Sequence, residues 1–379
     1  MYPLEQAGLM DKVWPILTKM KGRMIHDLDG NESFQSYGQK SEEVIYSVSR
    51  GELNKICLDA AEATGLVTIY FDKKCLSVNF DNHLAEIQDQ KSEAIQKIPF
   101  KRIIGCDGSV SAVRDAIHKV TSKQLDILPL GHSYKELHIP AGKQGEFQID
   151  KNSLHIWPRG GFMLIALPNS DGSFTVTLFM PSKNISEQVS FEALNSKQKV
   201  TDFFNVNFPD TSTLLPQLET EFFSNPTGHL ATVKCSPWHF KDKALLLGDA
   251  AHAVVPFHGQ GMNCGFEDAL VLAQTIQQHS ATRTIITTKG NGLASSFAQV
   301  DKFRKINADA IADMAIENYI TMRDSVRDKK FLLRSSLAFE LENRFPEHFC
   351  PRYSMVMFHR LPYSEAKERG IIQEKYYGS

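Results

Sequence analysis

The sequence predicts a mixed α/β fold in which a parallel sheet with crossover helices is interrupted by an antiparallel sheet. Two segments, residues 103–117 and 244–276, each pass from an apolar strand through a tight turn into a helix. Between them lies a stretch rich in β-branched and aromatic residues. A chain of 379 residues, 42% of them hydrophobic, is long enough to bury more than one core.

The first predicted helix runs from Glu52 to Thr64. Apolar residues recur there at helical spacing, and Gly65 ends the run. The apolar segment that follows, Leu66–Phe71, has the composition of a strand. A helix that leads into a strand is therefore expected here.

The second element is the segment FKRIIGCDGSVSAVRDAI. Ile103 and Ile104 predict a short strand, and Gly105, Asp107 and Gly108 predict a tight turn before an amphipathic helix.

From about Asp126 to Phe223 the sequence changes character. The runs LHIWP, FMLIALP and FTVTLFMP are separated by Gly, Pro, Asn and Asp, which is typical of an antiparallel sheet with tight turns. From Ser295 onward, the periodicity is mainly helical.

Charge and cysteine content exclude several classes of protein. The 42 Lys and Arg residues nearly balance the 44 Asp and Glu residues, so no overall charge favours nucleic acid or an anionic membrane. The six cysteines are scattered, which argues against a disulfide framework and a zinc site and favours a reducing cytoplasm. No segment approaches the ~18 apolar residues of a membrane span. A small-molecule partner is expected.

The most specific motif is the string LLLGDAAHAVVPFHGQGMNCGFEDAL. An apolar strand ends at Gly248 and Asp249, where α/β sheets bind ligands and where a carboxylate can accept a hydrogen bond from a sugar hydroxyl. The segment from Gly259 to Asn263 then opens a helix, whose positive end suits an anionic ring. A Gly-Asp turn and a glycine-rich helix cap without any ligand are the alternatives.

This string resembles the class A FAD-dependent aromatic hydroxylases, the para-hydroxybenzoate hydroxylase group. The resemblance implies a Rossmann-like FAD domain with an inserted substrate sheet, and it implies that Asp249 contacts the ribityl chain. Asp107, in GCDGSVSAVR, would organise the pocket for FAD and NADPH, and Arg50, in SVSRGELNK, would lie near the flavin; both could otherwise be ordinary turn or surface residues. Positions around the isoalloxazine ring are matched by Pro256, Gly259, Gly261, Met262 and Asn263.

Further segments, GRMIHDLDG, SYGQKS, ENYITMR and RYSMV, resemble the members of this family that hydroxylate L-kynurenine. The resemblance implies that Arg23 and Tyr37 hold the substrate α-carboxylate, for which a planar guanidinium is suited. It also implies that Asn318 and Tyr353 close over the amino-acid end of the ligand. Phe257 and His258 would line the pocket beside the flavin. Without the family, these would be ordinary strand, helix or core positions.

The implied reaction uses NADPH and O2 to form 3-hydroxy-L-kynurenine, with a flavin C4a-hydroperoxide as the oxidant. An aniline donates electrons without being deprotonated, so no general base and no catalytic side chain is nominated. Two alternatives remain: a related hydroxylase of another aromatic acid, and a fragment that binds ligands but cannot hold FAD.

The sequence departs from the family at both ends. The family opens with a strand and a GxGxxG turn, which do not occur in residues 1–14, so the Rossmann-like domain is expected to lack its first βαβ segment. Eukaryotic members continue into a membrane anchor, whereas this chain stops at EKYYGS; a soluble, bacterial-type enzyme is expected. The predicted domains are a partial FAD-binding domain (1–125, with strands of 20–48 joining the substrate sheet), a substrate sheet (126–225), the rest of the FAD domain (226–300) and a helical region (301–379).

Overall fold

The structure, a computed structural model, describes residues 1–123, 126–183, 189–283, 292–325 and 329–377. The chain divides into two compact units. The first comprises residues 1–10, 58–128 and 231–316, and the second comprises residues 11–57, 129–230 and 317–379. Among the described residues, no helix has both the length and the apolar character needed to cross a membrane.

The strands, in chain order, are β1 Leu17–Met20, β2 Gly22–His26, β3 Glu32–Ser36, β4 Ile45–Val48, β5 Lys73–Asn79, β6 Leu84–Asp89, β7 Ile95–Pro99, β8 Ile103–Gly105, β9 Asp126–Ile139, β10 Ser153–Pro158, β11 Met163–Pro168, β12 Phe174–Pro181, β13 Thr227–Lys234, β14 His239–Phe240 and β15 Ala244–Leu246. The α-helices are α1 Tyr2–Gln6, α2 Met10–Val13, α3 Arg50–Ala63, α4 Ala112–Thr121, α5 Lys197–Asn207, α6 Leu218–Ser224, α7 Asp249–His252, α8 Gly261–Arg283, α9 Gly292–Ile320, α10 Lys329–Arg344, α11 Arg352–Met357 and α12 Tyr363–Tyr377. Short 3-10 helices cover Trp14–Ile16, Pro209–Thr211 and Pro256–His258, and a π-helical turn covers Thr321–Ser325.

The first unit contains the two predicted strand–turn–helix segments side by side. β15 pairs in parallel with β8, in the three-stranded sheet β14-β15-β8. α4 packs on these strands at Gly105, where an added Cβ would lie 2.8 Å from Cβ of Val113 and 2.9 Å from Cδ2 of Leu246. Only glycine lets this helix and strand approach so closely. The strands β5, β6 and β7 form a second, antiparallel sheet in this unit.

The main sheet of the second unit has seven strands in the order β13-β9-β12-β11-β10-β2-β3. β10 is buried along its whole length, as expected for a central strand that is covered on both faces. The main core lies on this sheet and includes Trp157, Phe174 and Leu178; Phe204 of α5 and Phe222 of α6 pack into it. The helices that follow β12 therefore cover one face of the sheet.

Three local predictions differ from the structure. Residues 66–71 form no strand: Leu66, Tyr70 and Phe71 are exposed, and β5 begins only at Lys73. The segment expected to be β-rich as far as Phe223 contains the helices α5 and α6. The substrate sheet is mixed rather than purely antiparallel, because β2 enters it in parallel with β10. The composition of these segments favoured strands. Composition does not determine, however, which strands pair with each other or whether the pairing is parallel or antiparallel.

Candidate functional site

In the first unit, the candidate site begins where β15 and β8 end together. Leu247 N donates to the carbonyl of Gly105 at 2.9 Å, so the two turns lie at the same edge of the parallel sheet. Gly248 has φ 58° and ψ −144°, a conformation that side chains other than glycine rarely adopt. The exposed Asp249 follows directly and begins α7. This edge is where open α/β sheets bind their ligands.

Asp107 lies in the turn after β8 and caps α4. Its carboxylate accepts hydrogen bonds from Ser111 Oγ at 2.5 Å, from Ala112 N at 2.8 Å and from Val113 N at 3.3 Å. The predicted ligand-facing residue thus has a clear local task, since it satisfies the free N–H groups at the start of the helix.

Arg114, which the sequence analysis did not single out, joins the two turns. Its buried guanidinium donates to the carbonyl of Ala250 at 3.0 Å and to that of Ser109 at 2.7 Å. The sequence did contain one signal: the apolar spacing of α4 places this arginine on the face of the helix that is predicted to be buried. The partner Ala250 lies too far along the chain for spacing to reveal it.

The segment Pro256–Asn263 leads into α8. Gly259 has φ 65°, and α8 begins at Gly261 and runs for 23 residues. Pro256, Gly259 and Met262 are exposed, whereas Phe257 and His258 are buried. An added Cβ at Gly248 or Gly259 would meet no atom within 4 Å. A flat ligand can therefore approach the backbone here, with the positive end of α8 near it.

These features fit the flavin that the sequence resemblance implies. Gly248 and Gly259 give backbone access, Asp249 offers an exposed carboxylate for a ribityl hydroxyl, and the first amides of α8 suit negative charge on the ring. Asn263 is half-buried, and its side-chain amide donates to Gln260 Oε1 at 3.0 Å.

In the second unit, Arg23 of β2, Tyr37 and Tyr353 of α11 form one cluster. Cζ of Arg23 lies 5.4 Å from the ring centroid of Tyr37 and 4.9 Å from that of Tyr353. The two rings are 5.9 Å apart and nearly parallel, with 12° between their planes. The guanidinium thus contacts two aromatic rings, an arrangement that stabilises a cation.

The cluster contains polar atoms that are buried without hydrogen bonds. Among the described residues, Nε of Arg23 and the hydroxyl of Tyr37 have no hydrogen-bond partner, and no carboxylate lies within salt-bridge distance of Arg23. Burial raises the pKa of Tyr37 and that of Tyr353, so both phenols stay neutral and able to donate. Arg23 as a whole is half-buried, but its Nε is a buried cationic donor, and such a donor suits an anionic ligand.

Asn318 lies near the end of α9, and its side-chain amide donates to Sδ of Met322 at 3.5 Å. The adjacent Glu317 forms an ion pair with Arg352 at 2.9 Å, and Arg352 precedes Tyr353. This ion pair connects the end of α9 with the start of α11. Arg50 is the exposed first residue of α3, in the second unit, while Phe257 and His258 belong to the first.

The parallel strands, the turn after β15 and the start of α8 have the arrangement expected of an FAD-binding hydroxylase. A family model described as an FAD binding domain matches residues 1–283. Among solved structures, Klebsiella pneumoniae HpxO, complexed with FAD and uric acid, has a similar fold: the TM-score is 0.62 at 15% sequence identity, over 91% of this chain and 83% of that one. The predicted fold class is thereby confirmed.

Two curated relatives narrow the family. Kynurenine 3-monooxygenase of Myxococcus xanthus is 45% identical over 374 residues, which are 99% of this chain and 78% of the relative. Kynurenine 3-monooxygenase of Stenotrophomonas maltophilia is 42% identical over 370 residues, covering 98% of this chain and 78% of the relative. The chain belongs to the kynurenine 3-monooxygenase family.

Proposed function

We propose that this chain uses FAD and NADPH to hydroxylate L-kynurenine to 3-hydroxy-L-kynurenine. The curated relatives are named kynurenine 3-monooxygenase. The observation in the chain itself that carries the proposal is the Arg23 cluster, a guanidinium that contacts two phenol rings and has no carboxylate partner among the described residues. Together they support an aromatic amino acid as the substrate.

The substrate α-carboxylate would be bound by Arg23 and Tyr37. Nε of Arg23 and the hydroxyl of Tyr37 are buried donors, and a carboxylate can accept from both. Tyr353 would stack against the guanidinium and hold its plane in place. We propose that Asn318 approaches the amino-acid end of the ligand. Phe257 and His258 are proposed to approach its ring.

FAD would lie along the turn after β15, with Asp249 accepting from a ribityl hydroxyl and the first amides of α8 facing the ring. When bound and reduced by NADPH, FAD supplies the activation of O2 and the oxygen transfer. We propose further contacts from Arg50 near the flavin and from Asp107, which would organise the pocket for both nucleotides. Around the isoalloxazine ring we propose Pro256, Gly259, Gly261, Met262 and Asn263.

The side chains are needed for binding and orientation rather than for proton abstraction. An aniline ring donates electrons without losing a proton, so the reaction requires no strong base beside the ring. We therefore assign no catalytic acid or base.

A related hydroxylase of another aromatic acid is the second candidate. The Arg23 cluster accounts for binding of a carboxylate, but it does not determine which aromatic ring the substrate carries. The experiment is to load the chain with FAD, to follow flavin reduction by NADPH with each ligand, and to identify the product by mass spectrometry. L-Kynurenine should accelerate flavin reduction and yield the 3-hydroxy product; kynuramine, which lacks the α-carboxylate, should do neither efficiently. Faster turnover of another aromatic acid would favour the second candidate, and failure to bind FAD would exclude both.

A further inference from the structure

A buried carboxylate lies behind the proposed flavin site. Asp268 is on α8 and is 0% exposed. Its Oδ2 accepts from Gly248 N at 2.9 Å and lies 2.5 Å from His252 Nε2, while its Oδ1 accepts from Arg304 Nε at 2.7 Å. Three donors thus converge on two oxygens, which compensates the carboxylate for its lost solvation.

These three bonds join the parts of the chain that we propose to contact the flavin. Gly248 immediately precedes Asp249, the first residue of α7, and His252 is the last residue of that helix. Asp268 belongs to α8, the helix whose first amides face the proposed ring position. Arg304 belongs to α9, so its bond connects this helix to Asp268 as well. Asp268 therefore links the turn that carries Asp249 to α8 and α9.

The same atoms could be mistaken for a metal site. Ligand atoms of His252, Cys264 and Asp268 all lie within 4.8 Å of one another. The guanidinium of Arg304, however, already donates to Asp268 and lies 3.1 Å from Cys264 Sγ. A metal ion would face this buried positive charge, so the group is better described as an ionic network than as a metal centre.

We infer that Asp268 is a positioning residue of the flavin site, which sets the geometry of Asp249 and the α8 N-terminus through Gly248 and His252. The inference rests on the proposed flavin site. Asp268 acts through backbone and side-chain hydrogen bonds inside the first unit, so its removal should change how the flavin is held as well as how stable the unit is.

The test compares Asp268→Asn with Asp301→Asn in the full chain. Asparagine keeps the shape of the side chain, but its NH2 group cannot accept. One or two of the three donors would therefore lose their acceptor, depending on which oxygen the NH2 group replaces. Asp301 is a matched control: it is buried in the same unit and accepts from Trp238 N at 3.0 Å and from His239 Nδ1 at 2.7 Å. The readouts are the FAD dissociation constant from titration of apoprotein, the visible circular dichroism of bound flavin and its midpoint potential.

We expect Asp268→Asn to weaken FAD binding by about 10- to 100-fold and to alter the visible circular dichroism, whereas Asp301→Asn leaves both close to the parent. Unchanged FAD affinity and dichroism in Asp268→Asn would overturn the inference, and so would equal losses in the two variants. If Asp268→Asn does not fold, His252→Asn, which leaves the bonds of Gly248 and Arg304 to Asp268 in place, must reproduce the flavin effect in a folded protein or the inference fails. Failure of the parent itself to bind FAD would instead refute the proposed function.

Discussion

Nε2 of His26 lies 2.8 Å from Nδ1 of His155, inside the second unit. The other ring nitrogen of His155, Nε2, lies 2.8 Å from the carbonyl oxygen of Asp150, which can only accept. Nε2 of His155 therefore carries the hydrogen, and its Nδ1 accepts from His26. Both rings are buried beside Trp157, on which His26 stacks with centroids 4.1 Å apart. A proton added to His155 would break this chain of hydrogen bonds.

This relationship predicts a loss of stability in mild acid. Burial lowers the pKa of His155 from 6.5 to about 4. A lowered histidine pKa means that the unfolded chain binds the proton first, so the free energy of unfolding should fall as the pH drops from 6.5 towards 4. The contribution is about 3 kcal/mol at most. Urea unfolding at several pH values, followed by tryptophan fluorescence, measures it.

The matched controls are His155→Asn and His348→Asn. The first removes the titrating group, so its unfolding free energy should depend less on pH in this range. The second removes an exposed histidine of the same unit and should leave the pH dependence of the parent intact. Identical pH dependence in the parent and in His155→Asn would contradict the prediction.

Arg23→Met should weaken L-kynurenine binding by about 2–5 kcal/mol, because the substrate carboxylate would be buried without its cation. Tyr37→Phe should cost about 1 kcal/mol, the loss of one donor. Lys135→Met is the control, since Lys135 is a buried cation of the same sheet that donates to the carbonyl of Asn225 at 2.6 Å. Calorimetric titration of FAD-loaded protein measures all three. An unchanged dissociation constant in Arg23→Met would make Arg23 a structural residue.

Asp249→Ala should lose flavin. The exposed carboxylate is the proposed acceptor for a ribityl hydroxyl, and its removal leaves that hydroxyl unpaired, at a cost of about 1–3 kcal/mol or roughly a tenfold or greater loss of affinity. Asp242→Ala, which removes a partner of Arg102 in an exposed ion pair of the same unit, should retain the flavin content of the parent. Flavin absorbance per protein after desalting decides between them; equal flavin in both variants would argue against the role of Asp249.

Gly105→Ala should destabilise the first unit by about 1–3 kcal/mol, because the new methyl group would overlap Val113 and Leu246. Gly51→Ala is the contrasting change. Gly51 lies in the first turn of α3, where the nearest atom to an added Cβ is 4.0 Å away, so alanine should be neutral or stabilising. Thermal unfolding of the two variants gives the comparison. A Gly105→Ala variant as stable as the parent would show that α4 can move away from β8.

The sequence predicted elements whose residue spacing is itself typical of a helix or a strand. The apolar spacing of residues 52–64 gave α3 to within two residues at its start. Residues 66–71 have equally strong strand composition, yet a strand also needs a partner edge, which composition does not specify. Phe203 and Phe204 lie within the stretch that the composition predicts to be β-rich, but they belong to the helix α5 and pack in the main core.

The candidate site shows the same limit. Motif spacing predicted Asp107, Asp249 and the glycines of the α8 turn as flavin-site residues, because the backbone chemistry there is local; their contacts with the flavin remain predictions. The buried partners were missed, since Asp268 meets Arg304 36 residues later and Arg114 meets Ala250 136 residues later. Such contacts depend on how strands and helices pack, which no single-sequence pattern encodes.

The Asp268 network also predicts a loss of stability in mild alkali. Burial alone would lower the pKa of His252, but its hydrogen bonds and charge interactions with Asp268 and Cys264 together outweigh burial, and the pKa rises to about 10. With a raised pKa, the stabilising contribution is complete below 6.5, the unfolded value, and is lost as the pH rises towards 10. The free energy of unfolding of the parent should therefore fall over this interval. The variant His252→Asn lacks the titrating group, and Asp268→Asn lacks the anionic partner of that group. In both variants the free energy of unfolding should therefore fall less over this pH interval than in the parent. Denaturant unfolding at intervals from pH 6.5 to 10 measures this difference, and comparing each variant with the parent cancels the other groups that titrate there. If both variants kept the pH dependence of the parent, His252 would not carry a proton that depends on Asp268.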